Sequence, residues 1–225
     1  MKIFIGWDSR EDIAYQVCRH SLLKHTSIPL DIQPIKQYEM RERGIYWREQ
    51  DPLSSTEFSF TRFLVPYLAG YKGWAVFMDC DFYWRGDVAG LQDYMNPSCG
   101  VCVVPHNYTP KETHKMDGKV QHQYPRKNWS SLMLINCGHK NTVEGLTLQD
   151  VNKQSGMYLH QLQWAGKHVG HLPIAYNYLE GWHTRNDCPN PVAVHFTRGG
   201  PWFHGFKDVE YGQEWLAVSK EIVYE

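Results

Sequence analysis

Val76, Phe77 and Met78 run without interruption into Asp79-Cys80-Asp81, and the chain then turns aromatic at Phe82-Tyr83-Trp84. No other stretch restricts the fold as strongly. Residues 74–78 are continuously apolar and β-prone, which predicts a central strand covered on both faces. Asp79 and Asp81 fall where that strand emerges, and in open α/β sheets ligands bind beyond the carboxyl ends of strands. Two carboxylates one residue apart repel each other and lose solvation there, so a cation or another partner has to compensate them. A hard divalent ion bridging carboxylate and phosphate oxygens would do so. A solvated turn, where Asp is common, is the other reading of the pair alone.

Strand and helix signals alternate around this stretch. Residues 2–6 read as a strand. Residues 12–25 have helical spacing, with Ile13, Val17 and Ser21 or Leu22 on one face and Asp8 or Ser9 able to cap. Trp7 and Asp8 therefore lie at the end of the first strand, on the same edge as Asp79; a plain N-cap and a site residue are equal readings of Asp8. Residues 30–35 form a second strand, and 37–55 a polar, aperiodic excursion. Phe60, Phe63, Leu64, Tyr67 and Leu68 form a stripe that predicts a helix over 57–69, kinked by Pro66 and stopped by Gly73. Arg62 lies off that stripe, either solvated or facing phosphate. A short helix at 91–95 precedes strands at 100–105 and 132–135, then a helix at 156–166. A short strand within 168–174 and extended chain at 175–179 lead to a last strand at 192–196 and a closing helix at 210–223. The polar loop 106–128 is the candidate acceptor rim or lid. One α/β domain over 1–225 is predicted, a mixed, mostly parallel sheet flanked by helices.

Composition narrows the partners. A net charge of -1 with no basic block argues against nucleic acid. No apolar run reaches membrane-spanning length and Met1 leads directly into a strand, which predicts a soluble, cytoplasmic protein with no transmembrane segment. Only Cys99 and Cys102 among the six cysteines are close, inside an apparent strand, which predicts buried free thiols. Nine Trp and fourteen Tyr suit stacking on sugars or bases, or simply a core.

The other informative stretch is His195-Phe196-Thr197-Arg198-Gly199-Gly200-Pro201-Trp202. An imidazole at a strand end is a competent ligand for a manganese-like cation that already has two carboxylates. Gly199 and Gly200 let backbone N–H groups approach a phosphate closely. A satisfied buried His and a tight turn are the alternatives.

Taken in order, these motifs resemble the family 8 glycosyltransferases. Thr61-Arg62-Phe63-Leu64 followed by Val76 to Asp81 is similar to that family's Arg helix and Asp-x-Asp strand. Ile3-Phe4-Ile5-Gly6-Trp7-Asp8 resembles its first βα unit, and Leu132-Met133-Leu134-Ile135-Asn136 its central strand. His195 through Gly199 to Pro201-Trp202 resembles its C-terminal motif. The resemblance implies a GT-A fold, a nucleotide-diphosphate sugar donor, most readily a UDP-sugar, and Mn2+ or Mg2+. Asp79, Asp81 and His195 would hold the metal. Asp8, with Trp7 beside it, would sit near the base or ribose, and Arg62, Gly199 and Gly200 at the diphosphate. Trp129-Ser130-Ser131, Ser155-Gly156-Met157 and Gly200 depart from the family pattern. The expected activity is sugar transfer to a glycan or glycolipid acceptor, with retention. Inversion would need a general base, for which Asp187, Glu180 and His183 are candidates; the same three could bind the acceptor. A metal-dependent phosphohydrolase or nucleotidyltransferase, and a non-catalytic sugar-binding module, are the competing readings.

Overall fold

The computed structural model describes residues 1–49, 54–107 and 126–222. The chain opens with strand β1 (Lys2–Gly6), helix α1 (Asp12–His25), strand β2 (Asp31–Ile35) and a short helix α2 (Gln37–Glu42). A 3-10 turn at Thr61–Leu64 leads into α3 (Val65–Leu68), β3 (Trp74–Met78) and β4 (Phe82–Trp84). Then come β5 (Val101–Val103), β6 (Leu132–Asn136) and three short helices, α4 (Lys140–Gly145), α5 (Leu148–Lys153) and α6 (Gly156–His160). Strands β7 (Val169–His171), β8 (Tyr178–Leu179) and β9 (Ala193–His195) and helix α7 (Gly212–Ser219) complete the order.

Six strands form one sheet in the order β2-β1-β3-β6-β5-β7. Three of its pairings are parallel and two, on either side of β6, antiparallel. β3 lies inside it, parallel to β1 and antiparallel to β6, and Ala75 to Met78 are fully buried. Its unbroken apolar run is what cover on both faces requires. The sheet is the mixed, mostly parallel one expected.

β4 leaves that sheet. It joins a second, three-stranded sheet in the order β4-β9-β8. Asp79-Cys80-Asp81 is therefore the joint between the two sheets. β9 runs antiparallel to β4 and sets His195 opposite Phe82. α1 packs against β4 and α7, closing the layer behind the joint.

Local structure departs from the sequence reading where side-chain signals compete with backbone chemistry. The helix expected over 57–69 is turns, a 3-10 segment and one α-turn. Pro66 cannot donate to the Arg62 carbonyl, so regular helix begins only beside it. Gly70, at φ +68°, follows the end of α3 and replaces Gly73 as its stop. The helix expected at 91–95 is a 3-10 helix at Val88–Tyr94 started by the Asp87 carboxylate, which accepts from Ala89 N–H. The one expected over 156–166 breaks at Leu162, φ +56°. α2, α4 and α5 were not legible as helices; each is six residues long, too short for a 3.6-residue period to show. Neither Asp8 nor Ser9 caps α1, whose first flanking residue is Glu11. All six cysteines are free, and only Cys99 is not buried. Among the described residues no helix is long and apolar enough to cross a membrane. The expected rim or lid falls largely on 108–125, outside the described residues.

Candidate active site

Asp79, Asp81 and His195 offer ligand atoms that all lie within 4.8 Å of one another. The joint aims both carboxylates to one side, and β9 delivers the imidazole by its register against Phe82. Phe196 N–H donates to the Asp81 carbonyl, and Asp79 N–H to the Ser131 carbonyl, so both acidic residues are held by their backbones. Phe82 stacks on the His195 ring at 4.5 Å and 17°. His195 is only 2% exposed.

The His195 tautomer follows from a chain of hydrogen bonds. Ser131 Oγ donates to the Asn128 carbonyl at 2.7 Å, so it can only accept from Asn177 Nδ2, 2.9 Å away. Asn177 Oδ1 therefore faces His195 Nδ1 at 3.0 Å, and that nitrogen must carry the proton. In the neutral ring Nε2 then presents its lone pair toward Asp81 Oδ1, 3.3 Å away. Either a cation between the two acceptors or a second proton on the ring would satisfy both, and a second-sphere amide fixing ring orientation is the usual arrangement in metal sites. Two hard oxygens and one imidazole nitrogen suit Mn2+ or Mg2+. Sequence reasoning missed Asn177. A lone amide in Ala175-Tyr176-Asn177-Tyr178-Leu179 was the available signal, since a buried polar group needs partners.

Arg62 is not solvated. It is buried, its Nη1 lies 2.7 Å from Asp79 Oδ1, and it donates to the Ser59 and Ser130 carbonyls. Compensation of the acidic pair is thus divided: Arg62 serves Asp79, and His195 stands at Asp81. Glu11, half-buried at the start of α1, adds a further carboxyl. Burial, then the charges of Asp81, Asp8 and Asp79, push it up to about 8.

Asp8 is fully buried and saturated. It accepts from Arg10 N–H, Nε and Nη2 and from Glu57 N–H. Burial alone would raise its carboxyl, but these hydrogen bonds and the Arg10 charge hold it below the ordinary range. The residue pins the 54–57 segment to the end of β1 through these bonds. Trp7 is different: its half-buried ring meets Tyr38 edge-on at 6.1 Å, with Lys36 Nζ 5.3 Å over it, and its Nε1 is held by Asp12.

The glycine pair forms a tight turn. Gly199 (φ +115°) donates its N–H to the Phe196 carbonyl, and a Cβ on Gly200 would strike the Trp202 ring. Trp202 in turn packs on Phe196 and Trp215.

The three candidate bases diverge. Asp187 is exposed and accepts from Thr184 N–H and Oγ, which lowers its carboxyl and commits it to a surface turn. His183 Nδ1 accepts from Leu179 N–H, so in the neutral ring its other nitrogen carries the proton and donates. Glu180 is buried beside His195, its N–H bonded to the His195 carbonyl. Burial raises its carboxyl against the pull of Arg198, whose Nη2 lies 3.2 Å from both oxygens.

No protein-family model matches the chain. Protein CDI of Arabidopsis thaliana is 50% identical over 225 residues, covering 98% of this chain and 86% of that protein. Among solved structures, the bifunctional glycosyltransferase WbbM superposes with a TM-score of 0.66 at 14% identity, over 97% of this chain and 49% of that one. The glycosyltransferase GlyE of Streptococcus pneumoniae gives 0.63 at 16%, over 97% and 59%. The chain thus spans about half of WbbM and three fifths of GlyE. The galactosyltransferase LgtC, solved with donor and acceptor sugar analogs, gives 0.63 at 10%, over 100% of this chain and 97% of its own. The fold is the GT-A glycosyltransferase fold.

Proposed function

The chain belongs to the family of Arabidopsis thaliana Protein CDI, and from that premise and its GT-A fold we propose that it is a metal-dependent glycosyltransferase. Its donor is a nucleotide-diphosphate sugar, most readily a UDP-sugar, and its acceptor a hydroxyl of a glycan or glycolipid. The observation that carries this reading is the convergence of Asp79, Asp81 and His195 at the joint between the two sheets.

Asp79, Asp81 and His195 would hold a divalent cation, which when bound supplies positive charge to a leaving diphosphate. Asn177 keeps the His195 proton on Nδ1 and so keeps Nε2 available as a ligand. Arg62 holds Asp79 in place and contributes fixed positive charge beneath the site. Trp7 offers an aromatic face at the β1 end for the base. Retention is supported by the commitments of the candidate bases: Asp187 closes a turn, the accepting nitrogen of His183 is occupied, and Glu180 is paired with Arg198. A front-side transfer, in which the departing diphosphate takes the acceptor proton, needs none of them.

Titration calorimetry with UDP and GDP, with and without Mn2+, tests the reading on wild type and Asp81→Ala. Metal-dependent nucleotide binding that disappears in the folded variant is the expected result. Binding of free glycan without nucleotide or metal, indifferent to Asp81→Ala, would put a sugar-binding module in its place.

A further inference from the structure

Beside the acidic cluster stand two imidazoles that the proposed chemistry leaves unused. His106 lies just beyond β5, and Trp129 Nε1 donates to its carbonyl at 2.9 Å while its own N–H bonds to the Val104 carbonyl. The backbone is therefore fixed on both sides. Its ring lies 5.4 Å from the His183 ring, tilted by 35°. His183 is anchored in turn by Leu179 N–H, and Leu179 is the register partner of His195. His195 lies near enough to act electrostatically on both rings. His106 is only 6% exposed, yet neither ring nitrogen has a hydrogen-bond partner among the described residues. A buried, unsatisfied imidazole is unfavourable, so its retention here calls for a partner.

We infer that His106 and His183 form a subsite for the hydroxyls of the transferred sugar, next to the diphosphate that the cation would hold. The inference rests on the glycosyltransferase reading and adds to it the residues that grip the sugar. The chemistry selects the ligand. Burial lowers both rings, His106 well below the ordinary imidazole range, with the neighbouring imidazoles acting in the same direction. His183 in particular must keep Nδ1 unprotonated to accept from Leu179. Rings held neutral are poor partners for phosphate or carboxylate, which favour imidazolium. They suit neutral hydroxyls. His183 supplies a donor at Nε2, and His106 supplies one donor and one acceptor, which together match a vicinal diol.

The test uses full-length wild type, Asp81→Ala, His106→Ala and His106→Gln in calorimetry with Mn2+. Ligands are UDP, GDP, UDP-glucose, UDP-galactose, UDP-N-acetylglucosamine and GDP-mannose. We expect His106→Ala to bind the free nucleoside diphosphate as wild type does, and to lose about tenfold in affinity for the preferred nucleotide sugar. His106→Gln, which keeps a donor and an acceptor, should recover part of that loss. Unchanged nucleotide-sugar affinity in His106→Ala overturns the subsite, and so does an equal loss for UDP and UDP-sugar. Imidazole proton NMR on wild type covers the case in which a variant fails to fold. The His106 ring resonances should shift with the nucleotide sugar beyond any shift with UDP. A shift with free glycan alone overturns the donor assignment. Failure of the glycosyltransferase reading looks different: wild type then binds no nucleotide, or binds it without Mn2+ and indifferently to Asp81→Ala.

Discussion

Asp8 and the Asp79/Asp81 pair occupy equivalent places, each just beyond the carboxyl end of a neighbouring parallel strand, yet they have opposite fates. At the β1 end, the carboxylate is closed on itself by Arg10 and by the Glu57 backbone. At the β3 end, one guanidinium serves the first carboxylate, while the second faces an imidazole whose lone pair also points inward. The first arrangement is a finished ion pair, a structural anchor. The second accumulates acceptors, an arrangement that a divalent cation would complete. What separates a site from an anchor is the supply of donors around the acid, and strand position does not determine it.

The largest effect that would sharpen this contrast is on stability. Arg62→Ala removes the guanidinium partner of partly buried Asp79 and should destabilise the fold by about 3 kcal/mol, the low end for breaking a buried pair. Millimolar Mn2+ should restore part of that loss, because a cation can stand in for the guanidinium charge; thermal unfolding with and without the metal reads both. Asp8→Ala should cost about 2 kcal/mol, since Arg10 and Glu57 N–H lose their acceptor. Here Mn2+ should add no more stability than it adds to wild type, and selective rescue of Asp8→Ala would erase the distinction between the two ends.

Asn177→Ala frees the His195 tautomer. It should weaken Mn2+ binding by about 10–100-fold with the acidic residues untouched, measured by metal titration. The smallest effect is in pH. Asp8 lies below its ordinary value, so its contribution is present above that value and is lost as pH falls through the folded one. Glu11 is raised from 4.5 to about 8, so its contribution is present below 4.5 and is lost as pH rises through about 8. Glu11→Gln should therefore flatten the alkaline side of a stability–pH profile and leave the acid side to Asp8. Identical profiles for wild type and Glu11→Gln between pH 5 and 9 would contradict this.

Much of this was legible from residues 1–84 alone. The apolar run of β3, the β1–α1 opening and the emergence of Asp79 and Asp81 at a strand end are local matters of period and composition, and each stands where it was expected. His195 was recognisable by type and by its place at a strand end. The partners of Asp8, Arg62 and Gly199, and the close approach of Trp202 to Gly200, were not. Short helices α2, α4 and α5 escaped for a similar reason, because six residues carry too little pattern to outweigh their neighbours.

The amino-acid sequence by itself determined that an α/β sheet would present two adjacent carboxylates and, far along the chain, an imidazole at a strand end. Only the tertiary structure decided which acid is saturated by backbone and guanidinium donors and which meets an imidazole. The deciding donors come from distant segments: Glu57 for Asp8, Arg62 for Asp79, and Ser131 through Asn177 for His195. A hydrogen bond acts over about 3 Å and is indifferent to separation along the chain, so folding alone could allot these partners.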